Sequence, residues 1–173
     1  MIKRSCLILS GLAVTATLGM LGHGQQPQPA DQQKSKHDSM EMNQRGDKVM
    51  GFDHLKTTHH FLLRKNGGVI QVLTNDVADT VSRDQIRGHL HHIAKMFSEG
   101  NFAAPMLIHA KNPPGADVMK QLKDEIKYEF GETERGAQIQ ISTDNADALK
   151  AIHEFLRFQI KEHMTGDPTD VGR

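Results

Sequence analysis

Two hydrophobic periodicities take turns along this chain. Thr58 to Arg64 and Val69 to Thr74 are short apolar, β-branched runs separated by Lys65-Asn66-Gly67-Gly68. Asn-Gly is a dipeptide that tight hairpin turns favour, because its residues accept positive φ. With Asn66 and Gly67 as the loop, Leu63 is expected opposite Ile70, Phe61 opposite Val72 and His59 opposite Thr74, with His60 and Leu62 on the other face. The period then changes. Over Ser82 to Glu99 the residues Ile86, Leu90, Ile93 and Phe97 recur at three- and four-residue intervals, the stripe of an amphipathic helix, and Gly100 closes it.

Pro105 to Ala110 (PMLIHA) reads as a short apolar strand, and Pro113-Pro114-Gly115 as a turn into a second helix over residues 116–125. Ile126, Tyr128 and Phe130 alternate with polar positions, as do Ile139 and Ile141. This predicts a second hairpin turning at Glu134-Arg135-Gly136, with one buried and one wet face. A last helix is predicted over residues 145–164, with Asp144 as N-cap and Leu149, Ile152, Leu156 and Ile160 as its buried stripe. The order ββαβαββα predicts an α+β fold, a two-layer sandwich on a mainly antiparallel sheet.

Upstream of these elements the pattern fails. Met-Ile-Lys-Arg, an uncharged run from Cys6 to Leu21 and Gly22-His23-Gly24 have the three-part layout of a secretory signal, so residues 1–24 are expected to be a cleaved signal peptide. Residues 25–50 are rich in Gln, Pro, Asp, Lys and Ser and read as a disordered tether. The α+β domain is expected over residues 51–167 and a frayed tail over 168–173. The implied location is periplasmic or secreted, without a membrane span once the signal is removed.

Composition narrows the chemistry. Cys6 is the only cysteine and lies inside the signal, so disulfides, thiolate nucleophiles and cysteine metal sites are excluded from the mature chain. Beyond Gly24, 19 basic residues stand against 21 acidic ones, with no basic block, which argues against nucleic acid as a partner. Histidine is the outlier, at eleven.

On the first long helix His89, His92 and Met96 share a narrow arc at the edge of the buried stripe, where two imidazoles three residues apart can share an ion. His59 shares the Phe61/Leu63 face, and His109 ends its segment near a loop. These give a candidate metal site of His59, His89, His92 and His109, with Met96 or Met106 favouring copper over zinc. His37, Met40 and Met42 form a candidate secondary site in the tether. His153 and His163 are both expected to face inward, too far apart to hold one ion. Hydrogen-bonded core imidazoles and gap-filling methionine are the alternative for each of these residues.

The runs Gly46-Asp-Lys-Val-Met50-Gly-Phe52, Thr57-Thr-His-His-Phe61 and His153-Glu-Phe-Leu-Arg-Phe-Gln-Ile-Lys-Glu-His163-Met-Thr-Gly-Asp-Pro168 resemble those of small exported bacterial proteins of unassigned function. The resemblance spans about residues 45–168 and implies an exported single domain, with no activity or ligand attached.

The reading that follows is an exported metal-binding or metal-handling protein for copper or zinc, with no catalytic residue assigned. One rival is an interaction module, a homodimer or envelope-protein binder, presenting Phe158. Another is a metal-dependent hydrolase using histidine with Asp84 or Asp124. The chain contains no nucleophile elbow, H-E-x-x-H or phosphate loop.

Overall fold

The computed structural model describes residues 29–171, so the expected signal segment lies outside them. Strands β1 (Thr57–Arg64) and β2 (Gly67–Thr74) form the first hairpin, and β3 (Lys127–Thr133) and β4 (Gly136–Ser142) the second. The hairpins join through β2 and β4 into one antiparallel sheet of order β1-β2-β4-β3. Helices α2 (Thr80–Ser98) and α5 (Ala146–His163) cover one face. Each lies mainly on the hairpin that does not precede it, α2 on β3 and β4 and α5 on β1 and β2. The α+β class and its layers are as expected, and the core runs between sheet and helices through Phe61, Val72, Ile86, Leu90, Ile139, Ile152 and Leu156.

Local chemistry fixes the boundaries. The first hairpin turns at Lys65-Asn66, not Asn66-Gly67, so Phe61 pairs with Ile70, Leu63 with Gly68 and His59 with Val72. The register moves by two residues, and the period-two rule leaves every side chain on its expected face. Asp79 caps α2 by accepting from the Ser82 amide at 2.9 Å and its hydroxyl at 2.7 Å. Asn145, one residue later than expected, caps α5 by accepting from the amides of Asp147 and Ala148.

Three expectations are corrected. Pro105 to Ala110 is not a strand but the body of α3 (Ala103–His109), ended by Ala110 at a φ of 51°. The second predicted helix is shorter, α4 (Ala116–Gln121), with a 3-10 turn over Lys123–Glu125. Residues 25–50 were expected as a tether, yet α1 runs Pro29–Met50 and packs on α3. Its inner edge is Met42, buried, followed at helical spacing by Gly46, Val49 and Met50. Arg45 ties the two helices by donating from Nε to the Ile108 carbonyl at 2.9 Å.

The start of the tail is also held. Asp167 accepts from the Phe61 amide, the Thr165 hydroxyl and the His60 ring, and Val171 packs on the core. Gly115 precedes α4 at a φ of 82°, and a Cβ there would stand 2.1 Å from the Ala151 carbonyl oxygen. Gly115→Ala is expected to cost about 3 kcal/mol, from left-handed strain and a backbone clash together. The check is a lower denaturant midpoint at unchanged m-value.

Candidate metal centre

Helices α3 and α5 and strand β1 bring three imidazoles into succession. His59, from β1, lies against His163, from the last turn of α5, with ring centres 5.5 Å apart and planes within 13°. His163 meets His109, from the end of α3, edge to face at 5.1 Å. Imidazoles on one tetrahedral ion, at metal–nitrogen distances of about 2.0–2.1 Å, have ring centres about 5 Å apart. His89 faces the same interior space from α2, with Phe52 lying against both it and His59. All four rings line a small cavity of about 70 Å³, otherwise walled largely by apolar side chains such as Phe61, Ile70, Leu90 and Phe155.

The hydrogen bonds leave donor atoms idle. His109 Nε2 lies 2.9 Å from Gln159 Oε1, an acceptor, so Nε2 carries the proton and Nδ1 is left as a bare lone pair. That Nδ1 is buried without a hydrogen-bond partner, as are His59 Nε2 and Gln159 Nε2. The Glu162 carboxylate stands 3.9 Å from His109 Nδ1, beyond hydrogen-bond reach. Three unpartnered polar atoms thus belong to residues lining one cavity. Buried polar groups are normally paired, so such a concentration needs a cause.

Burial also keeps these rings neutral. It lowers His59 to about 4, helped by His89, His60 and His54 nearby. His163 falls to about 3, through burial and then the neighbouring His59 and His109. His89 falls to about 4, through burial and then His92. His109 is lowered by burial, against the opposing pull of Gln159 and Glu162. A neutral imidazole is the form that binds metal, so near pH 7 no proton has to leave before an ion enters.

No family model, characterised protein or solved structure matches the chain.

Of the residues singled out in the sequence, His59, His89 and His109 do line one cavity. His92 does not. It is exposed on α2, while Met96 packs half-buried against the core and Met106 is 44% exposed on α3. The pair three residues apart on α2 is thus split between inside and outside, because the arc they share lies at the edge of the buried stripe. His163 takes the place expected of His92. Its signal lay in Gln159 and His163, one helical turn apart on α5, a polar pair beside an apolar stripe. His153 is structural: its Nε2 reaches the carbonyls of Arg64 and Gly67 at 2.9 and 3.1 Å.

The secondary site also separates. His37 pairs with Glu41, Met40 is 54% exposed, and Met42 turns inward. Phe158 is half-buried, with its ring 4.9 Å from that of His109 and under the Lys111 amine, so part of it is used within the chain. Asp84 and Asp124 are exposed and bonded to Arg83 and Lys123, away from the cavity lining.

A second group was not foreseen. Among the described residues, Asp47, Asp53 and His54 place three metal-capable atoms within 4.8 Å of one another. These atoms already have structural work. Asp47 accepts from the His54 amide and ring Nδ1, each at 2.9 Å, and Asp53 accepts from the Leu55 amide at 2.8 Å. With Nδ1 donating to a carboxylate, His54 keeps Nε2 as its free nitrogen, the orientation that carboxylates impose on metal-binding histidines.

Proposed function

We propose that this chain is an exported metal-binding protein, periplasmic or secreted, that holds a copper or zinc ion on His59, His109 and His163 with His89 beside them. The observation that supports it is the pair of buried, unpartnered ring nitrogens, His59 Nε2 and His109 Nδ1, in a run of three neutral imidazoles at ligand-like spacing. Bringing the nitrogens onto one ion needs ring rotation about Cβ–Cγ, a broad and inexpensive torsion for histidine. An ion would supply the missing partners and neutralise the cost of leaving them unmade, about 1–3 kcal/mol each. The role is binding or handling of the ion rather than catalysis, since no carboxylate lines the cavity to act as a base.

Thermal melts with added Zn(II) and Cu(II) at neutral pH test this. Saturation at a hundredfold excess over the dissociation constant raises stability by about 2.7 kcal/mol through mass action. His92→Ala should keep the whole shift. If neither these ions nor Cu(I), added anaerobically, moves the melt, the proposal falls; if His92→Ala abolishes the shift, the site lies on the outer face of α2 instead.

A further inference from the structure

We infer that the ion held at this centre is Cu(I), bound by its imidazoles together with methionine thioethers of the cleft behind them. This rests on the proposal above and names its ligand. On the side of the His59–His163 wall facing away from the interior cavity lies a cleft of about 280 Å³, lined among others by Met42, Met50, Met164 and His54. Met50, His59, Ile108 and His163 line both the cleft and the interior cavity, so they are the partition between the two. An ion in the cleft meets thioethers and imidazoles together, Met42, Met50 and Met164 beside His54, His59 and His163.

The sulfur is concentrated there. Three of the seven methionines among the described residues line this one cleft, and they come from two distant stretches of chain, α1 and the end of α5. Gap-filling in the core is the ordinary use of methionine, and it suits Met42, which is 6% exposed. It does not suit Met164, which is 72% exposed and sits at a φ of 50° just past α5. A large apolar side chain held in water at the mouth of a cleft gains nothing from packing.

Thioethers discriminate between ions. Neutral sulfur is a poor ligand for Zn(II), which prefers thiolate, imidazole and carboxylate, and a good one for Cu(I). No cysteine is present beyond Cys6, so thioether and imidazole are the soft and borderline ligands the described chain can offer. A mixed sulfur and nitrogen set without carboxylate suits a low-coordinate monovalent ion. Glu162 also lines the cleft, but it is engaged by Lys111 at 3.0 Å.

The test uses the purified chain and two probes. Cu(I) is titrated anaerobically against a chromogenic Cu(I) chelator, and Zn(II) against a zinc chelator, for the wild type and for Met42→Leu/Met50→Leu/Met164→Leu. Leucine keeps the volume and apolar character and removes only the sulfur. The expected result is a loss of Cu(I) affinity of roughly tenfold or more, with Zn(II) affinity unchanged. Equal losses for both ions, or no loss for Cu(I), overturn the inference. Copper-edge X-ray absorption on the wild type loaded with Cu(I) gives a reading independent of the variant's folding. Sulfur in the first shell supports the inference, and a nitrogen-only shell overturns it. A wild type that binds Zn(II) or Cu(II) but not Cu(I) sinks this inference and leaves the proposed function standing, whereas binding of none of them ends both.

Discussion

Metal-free protein is expected to lose much of its stability as the pH falls from 6.5 to 4. The cause is a set of half-buried neutral imidazoles. His59 and His89 titrate at about 4 and His163 at about 3 in the folded state, against 6.5 when unfolded. Above pH 6.5 both states bind the same number of protons at these sites and nothing changes. Below it the unfolded chain takes up protons that the folded one refuses, so stability falls with pH, and the fall is complete only near pH 3–4. At pH 5 the difference is up to about 2 kcal/mol for each of the three rings. Together that is comparable with the whole stability of a typical domain. His54, His60 and His89 beside His59, His92 beside His89, and His59 and His109 beside His163 each disfavour the charged form further. The measurement is urea unfolding at successive pH values without metal. A flat profile between pH 7 and pH 5 would mean that the rings are already hydrated and the cavity is open.

Much of the fold is written in periodicity. The stripe of Ile86, Leu90, Ile93 and Phe97 and the alternation through Ile139 and Ile141 each need only one face buried, and both end up in the core. The two-residue slip in the first hairpin was invisible because both registers bury the same side chains. The α1 helix escaped because a short contact through Met42, Gly46 and Met50 is enough to dock it on α3, and it requires few apolar residues. PMLIHA is apolar over too few positions to separate strand from helix, and the preceding Asn101 and Phe102 had to be read as a helix start.

The site was half legible. Face assignment placed His59, and the end of a segment beside a loop placed His109. His163 and Met164 could not be joined to Met42 from the sequence, because that contact depends on where α1 docks, a tertiary choice with no local signature. Phe155, outside the predicted stripe of α5, is buried against Phe97 and Phe102.

Exchanging His59 and His163 together for leucine should abolish the metal-induced rise in melting temperature and leave the metal-free protein at neutral pH as stable as before or more so. A residue kept for packing and one kept for binding differ in the sign of this effect. His59 buries an Nε2 without a partner, which costs about 1–3 kcal/mol, and leucine of similar bulk removes that cost while keeping the contacts with Phe61 and Phe52. The double change also removes two of the three strongly lowered imidazoles, so the acid transition should move down and shrink by up to about 4 kcal/mol at pH 5. Function is the cause that keeps a stability cost in place when a simpler residue would remove it. Urea unfolding at pH 7 and pH 5, with and without Zn(II), separates the possibilities in one experiment. A double variant that is several kcal/mol less stable at pH 7 without metal would show that the stacked rings hold the end of α5 onto β1 by packing, and the metal centre would lose its main support.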